Sequence, residues 1–81
     1  MKKYEVIYLI DVVSENPDDY IIKEIVHADN EIDAIKKNAI SMTRKDSSNI
    51  EWINNIQGDL KQVIQELMQC HYCYIGVKEI K

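Results

Sequence analysis

The 81-residue chain has no long apolar run, and this absence is the first bound on its class. No stretch approaches the roughly 20 apolar residues that a membrane-spanning helix needs. The N-terminal segment is charged, and no apolar core of a secretory signal peptide follows it. Two cysteines are too few for a disulfide framework. These features predict one reduced, cytoplasmic domain over residues 1–81 that does not enter a membrane.

Arginine and glycine are also scarce. Arg44 is the only arginine beside nine lysines, and the formal net charge is −4. A general nucleic-acid binder carries a basic patch and a high isoelectric point, so this composition disfavours nucleic acid as the partner. The two glycines, Gly58 and Gly76, stand apart and form no phosphate-binding loop. Because no catalytic triad or paired carboxylate site is recognisable either, we expect a non-enzymatic protein without a cofactor.

Two predicted strands in the first thirty residues, 3–13 and 20–28, are apolar on both faces. An antiparallel hairpin with one solvated face alternates between apolar and polar residues. This hairpin does not, so its second face needs a cover from this chain, a second copy or a partner. One alternate set contains Tyr4, Val6, Ile10, Ile22, Val26 and Ala28, and the other contains Ile7, Leu9, Val13, Ile21 and Ile25.

The segment 14–19, with Pro17 at its centre, suits a turn between these strands. We expect a register in which the numbers of paired residues sum to 32, because it gives favourable apolar and charged cross-strand pairs. This register pairs Val6 with Val26, Ile10 with Ile22, Lys3 with Asp29, and Glu5 with His27.

Helical signals follow the hairpin. Asn30 suits the N-cap of an amphipathic helix that runs to about Lys45. Asp59 and Gln62 form a capping box at the start of a later helix. Between them, Ser48–Glu51 fits a capping box and isoleucines recur every third residue, which predicts a short helix, with a strand as the alternative. The chain ends in a predicted strand at about 72–80.

This order of elements predicts an α+β fold, a three-stranded antiparallel sheet with helices packed on one face. The Tyr4 set is expected to meet the helices because Ala28 leads directly into the first one. The Ile7 set then has no cover, unless the segment 50–56 crosses it.

Cys70 and Cys73 are the only residues in a pattern typical of metal or thiol–disulfide chemistry. Zinc would need two further ligands, and the sequence offers only His71 and the distant His27. The end of a helix disfavours the thiolate that redox chemistry requires. We therefore expect structural thiols, with a metal or redox site as the alternative.

Two charged clusters each allow a second interpretation. The acidic residues at the hairpin tip suit a solvated turn, but they could also imitate the phosphates of DNA. The basic residues of the first helix would serve a small nucleic-acid-associated regulator. The acidic cluster contains Asp11, Glu15, Asp18 and Asp19, and the basic cluster contains Lys36, Lys37, Arg44 and Lys45.

The run Lys2–Val6 and the later run 25–35 resemble small DpnD/PcfM-like proteins of phages and mobile elements. The shared pattern is Lys-Tyr-x-Val, then Val-x-Ala-x-(Ser/Asn)-x-x-x-Ala-Ile. It covers about the first 35 residues, and the C-terminal helix and strand depart from it. The resemblance implies a mobile-element origin and a bacterial host cytoplasm, and it transfers no site residue.

The function that we expect is protein interaction, through the Ile7 set and the acidic cluster, with a partner or with a second copy. An exposed apolar patch of several hundred Å² usually marks an interface. With a phage origin, one concrete role is inhibition of a host defence nuclease, such as a CRISPR nuclease.

Overall fold

The computed structural model describes residues 1–9, 21–43, 46–69 and 72–81. They form an α+β fold with the order β-β-α-α-α-β, as the sequence predicts. The elements are β1 (Lys2–Leu9), β2 (Ile21–Ala28), α1 (Glu31–Met42), α2 (Ser47–Asn55), α3 (Leu60–Met68) and β3 (Cys73–Ile80).

The sheet has the strand order β2-β1-β3, and β1 is antiparallel to both neighbours. Helix α1 packs across all three strands, α3 packs against α1 and β3, and α2 packs against α1. The Tyr4 set lies on the side of the helices, as expected, with Tyr4, Val6 and Ala28 buried. Its member Ile10 lies outside the described residues.

One hydrophobic core lies between the sheet and the helices. Each element places at least one side chain in it, and the largest fully buried side chains are Ile35, Ile53, Leu67, Val6 and Val63. Burial of such a side chain contributes about 1.5–3 kcal/mol to folding, so this core supplies the main favourable contribution to the stability of the fold.

The ends of two helices are set by local signals that the sequence carries. The Asn30 side chain accepts a hydrogen bond of 2.8 Å from the Asp33 backbone amide at the start of α1. At the start of α3, Asp59 and Gln62 form the predicted capping box, with reciprocal bonds of 2.9 and 3.0 Å. Both predicted N-caps are therefore confirmed.

Two predicted boundaries are wrong. Helix α1 ends at Met42 rather than near Lys45, because Thr43 turns its backbone amide and hydroxyl onto the Ile40 carbonyl. The middle segment is a helix and not a strand, but its N-cap is Asp46, whose carboxylate accepts from the amides of Ser48 and Asn49. An aspartate one residue before the helix satisfies these free amides, so Ser48 is not needed as the cap.

The expected register of the hairpin is also wrong, by two residues. Paired residue numbers sum to 30, so that Tyr4 lies opposite Val26 and Glu5 opposite Ile25. A shift of two residues keeps every side chain on the same face, so the apolar pattern does not distinguish the two registers. The four predicted cross-strand pairs are replaced by Val6 with Glu24, Tyr8 with Ile22, Lys3 with His27, and Glu5 with Ile25.

Candidate interaction surface

The side of the sheet that faces away from the helices, called the open face below, contains the predicted Ile7 set. Side chains alternate along a strand, and the buried residues of β1 and β2, which are Tyr4, Val6, Tyr8 and Ala28, lie on the helix side. The open face consists of Lys3, Glu5, Ile7, Leu9, Ile21, Lys23, Ile25, His27, Cys73, Ile75, Gly76, Lys78 and Ile80.

Aliphatic side chains of the open face are exposed. Leu9 retains 41% of its accessible surface, Ile25 retains 53% and Ile75 retains 54%. Leu9 lies opposite Ile21 on β2 and Cys73 on β3, so apolar groups extend across the whole width of the sheet at this end. Single exposed apolar residues are ordinary, but a contiguous group of this kind is typical of an interface.

No described helix covers this surface. Ile53 and Ile56, the candidates for a cover, are buried in the core between the sheet and the helices. Helix α2 lies against α1, on the side opposite the open face. The segment 50–56 therefore does not cover the open face, and none of the other described residues covers it.

The structure brings together four members of the predicted partner-binding set, which are Ile7, Leu9, Ile21 and Ile25. The remaining members, Val13, Asp11, Glu15, Asp18 and Asp19, lie outside the described residues.

Sequence reasoning missed a β-bulge in the open face. Ile7 pairs with Gly76, whereas the next residue, Tyr8, pairs with Tyr74, so Ile75 has no partner on β1. The bulge keeps Ile75 on the open face and Tyr74 in the core. The signal was an interruption in the alternation of β3, where glycine follows an isoleucine in the middle of the strand.

Charged groups frame the apolar part of the open face. Lys78 on β3 forms an ion pair of 3.5 Å with Glu5 on β1. Lys3 and Lys23 form no ion pair with any carboxylate of the described residues. Among the described residues of the open face, three lysines and one glutamate give a formal charge of +2, with histidine counted as neutral by convention, whereas the whole chain has −4.

The helix side of the sheet holds a polar network that the sequence did not reveal. The Tyr74 hydroxyl donates to the side-chain oxygen of Asn38 at 2.7 Å, and the Asn38 amide donates to Glu24 at 2.6 Å. Asn38 is almost fully buried on the inner side of α1, and the Tyr8 and Tyr74 rings lie 5.9 Å apart beside it. The sequence signal for this network was a polar residue on the apolar stripe of α1, since Asn38 comes three residues after Ile35.

Burial, and then the neighbouring Tyr8, Tyr72 and Glu24, raise the pKa of Tyr74 far above its ordinary value of 10.0. Burial, followed by the Glu24 carboxylate, also raises the pKa of Tyr8, while a hydrogen bond with Asn38 acts against the rise. Both phenols therefore remain neutral at physiological pH. The network connects α1 to β2 and β3 through hydrogen bonds, which is a structural role.

The lysines of the predicted basic cluster have intramolecular partners. The Lys36 amine donates to the Ile56 carbonyl at 2.8 Å and so satisfies the end of α2. The Lys37 amine lies 3.2 Å from the His27 carbonyl and 3.4 Å from the Asp33 carboxylate. Arg44 and Lys45 lie outside the described residues. These contacts give Lys36 and Lys37 roles in holding the fold.

Cys73 is a half-buried free thiol at the start of β3, whereas Cys70 and His71 lie outside the described residues. Among the residues that the structure describes, no group of three or more histidine, cysteine, aspartate or glutamate side chains is placed to hold a metal ion. The described helices include none that is long and apolar enough to cross a membrane.

Comparisons of the chain with protein-family models, curated proteins and solved structures found no match.

Proposed function

We propose that this protein is a non-enzymatic interaction module that binds a protein partner through the open face of its sheet. The observation that carries the proposal is the exposed aliphatic group of Leu9, Ile21, Ile25 and Ile75, on a sheet whose other side packs against the helices. A partner that covers these side chains gains roughly 25 cal/mol for each Å² of apolar surface removed from water.

The sheet also supplies the rigidity that such a surface needs. Strand β1 is hydrogen-bonded on both sides, and helix α1 packs across all three strands from behind. A surface held in one conformation loses little conformational entropy on binding, which favours affinity. A mobile-element origin and the inhibition of a host defence nuclease remain predictions from the resemblance, and they fit a small module of this kind.

The basic-cluster alternative receives less support from the structure. The amines of Lys36 and Lys37 already bind carbonyl and carboxylate groups of this chain, so contact with phosphates would compete with these bonds.

The test places two carboxylates on the open face by the substitutions Ile21→Glu and Ile25→Glu. The matched control, Gln65→Glu with Met68→Glu, adds the same charge on the exposed side of α3, and Met68 is 52% exposed against 53% for Ile25. Tagged forms of both variants and of the unaltered protein are used to capture proteins from a host lysate, which are then identified by mass spectrometry.

We expect a defined protein to be retained by the unaltered chain and by the control, and to be lost from the open-face variant. All three proteins are expected to have the same far-UV circular dichroism, because the four substituted side chains lie outside the core. Equal capture by the two variants would contradict a role for the open face.

A further inference from the structure

Gly76 is a glycine that the described fold does not require. Its φ lies outside the left-handed region, and a Cβ atom built on it meets no atom within 4 Å from any residue beyond its two chain neighbours. A glycine inside a strand loses more conformational freedom on folding than other residues and offers no side chain to pack. Glycine in a strand also often marks a bulge, and Ile75 forms one beside it, but a bulge requires glycine only where that residue is left-handed, and Gly76 is not. Another common use of glycine in a strand is to admit the close approach of another molecule.

The empty space above Gly76 has defined neighbours on the open face. Ile7 lies directly opposite on β1, Ile75 precedes it in the bulge, and Lys78 is two residues further along the same face of β3. On the other side of Ile7, the directly opposite residue of β2 is Lys23. The apolar floor thus has Lys23 beside it on β2 and Lys78 further along β3.

The charge of the open face argues against a second copy as the occupant. Two open faces placed against each other would bring two surfaces of formal charge +2 together. Like charges juxtaposed at an interface are strongly unfavourable, whereas a partner with carboxylates at its rim meets the lysines favourably. The neutralising charge is better supplied by a different molecule.

We propose, on the basis of the proposed function, that the partner presents an aliphatic side chain flanked by carboxylates. The aliphatic group sits over Gly76 against Ile7, and the carboxylates pair with Lys23 and Lys78. Lys78 already has Glu5 at 3.5 Å, so of these two lysines Lys23 is the one that forms no ion pair with a described carboxylate.

The probe is a displayed library of random twelve-residue peptides, selected on the unaltered protein. We expect the enriched peptides to share an isoleucine, leucine or valine with aspartate or glutamate on both sides. The affinity of a synthetic copy of one enriched peptide is then measured for five variants, which are Gly76→Val, Gly76→Ala, Lys23→Glu, Lys61→Glu and the open-face pair Ile21→Glu with Ile25→Glu.

Gly76→Val, which fills the space, and Lys23→Glu, which reverses the charge, are each expected to weaken binding at least tenfold. Gly76→Ala adds a single carbon and is expected to have a smaller effect in the same direction. Lys61→Glu makes the same charge change on exposed α3 and is expected to leave the affinity within twofold. A melting temperature no lower than that of the unaltered chain shows that the Gly76 variants are folded.

Three outcomes would overturn this inference. One is an enriched set without acidic residues, or no enrichment at all. Another is that Ile21→Glu with Ile25→Glu abolishes peptide binding whereas Gly76→Val and Lys23→Glu leave it unchanged. That result would support the open face as the binding surface and contradict the proposed chemistry of the partner. The third is a dimer in sedimentation that Gly76→Val dissociates, since a second copy would then be the occupant. Acidic peptides that bind the open-face variant normally would instead contradict the proposed function.

Discussion

Asn38 shows how one polar side chain connects three elements inside a small core. Its side-chain oxygen accepts from Tyr74 on β3, and its amide donates to Glu24 on β2. Among the described residues, every buried side-chain nitrogen and oxygen has a hydrogen-bond partner. A buried amide that is fully paired costs little, whereas the loss of one partner leaves an unpaired polar group in an apolar surrounding.

The substitution Tyr74→Phe is therefore expected to destabilise the protein by more than the removal of a hydroxyl group would do by itself. It leaves the Asn38 oxygen buried without its donor, which costs about 1–3 kcal/mol in the free energy of unfolding. The measurement is urea unfolding followed by circular dichroism, with the half-buried Tyr72→Phe as the control. A loss for Tyr74→Phe no greater than that for Tyr72→Phe would contradict the role of this bond.

The raised pKa of Tyr74 predicts a loss of stability in alkali. Above the ordinary pKa of 10.0, the unfolded chain releases the phenol proton while the folded protein retains it. The unfolded state then binds fewer protons, so the free energy of unfolding falls as the pH rises, by up to about 1.4 kcal/mol per pH unit. Tyr8 acts in the same direction.

Urea unfolding at a series of pH values from about 8 to 11 measures this slope, and absorbance near 295 nm reports tyrosinate formation. Below the ordinary pKa the contribution of Tyr74 is constant, so the slope is expected to appear only above it. The free energy of unfolding of Tyr74→Phe is expected to fall less steeply with pH, because this variant lacks one phenol whose pKa is raised in the folded state. An identical alkaline slope in both proteins would show that Tyr74 titrates normally in the fold.

At the scale of elements, the helices begin where short polar motifs satisfy their free amides. Asn30, Asp46 and Asp59 each occupy the N-cap of one helix. These caps depend on residues within three positions of one another, so the sequence contains the information to place them. The end of α1 and the choice of Asp46 over Ser48 were predicted wrongly because several nearby groups compete for the same amides and carbonyls.

Gly58 directly precedes Asp59, the N-cap of α3. We expect Gly58→Ala to destabilise the protein. The residue has a φ of 116°, and a Cβ there would overlap the Gln62 side chain that completes the capping box. A left-handed backbone in a residue with a side chain and a disturbed cap together cost about 1–3 kcal/mol.

Gly76→Ala is the matched control in thermal and urea unfolding, because its Cβ meets open space. It is expected to leave stability unchanged or to raise it by about 0.5–1 kcal/mol, since alanine loses less entropy on folding than glycine. Equal losses for the two glycine variants would contradict the distinction between them.

At the scale of the whole molecule, the two faces of the sheet contribute unequally to stability. Ile35 on α1 is fully buried on the helix side of the sheet, whereas Ile25 on the open face is exposed. Ile35→Ala removes buried methylene groups and leaves a cavity, with an expected loss of about 2–5 kcal/mol. Ile25→Ala is expected to change the free energy of unfolding by about 0.5 kcal/mol or less.

Chemical unfolding of the isolated protein measures both losses, and each variant makes the same chemical change. Similar losses at the two positions would show that the open face is covered in the isolated protein. That result would also remove the reason to expect a partner there.

The sequence by itself determined the elements, their order, two helix caps and which residues of the first two strands share a face. These properties depend on periodicity and on groups only a few residues apart along the chain. The tertiary structure alone decided the register, because a shift by two residues preserves both faces. It also decided that Ile53 and Ile56 enter the core rather than cover the open face, and that Asn38 meets Glu24 and Tyr74. These outcomes depend on contacts between residues distant in sequence, whose geometry exists only once the sheet and helices have packed.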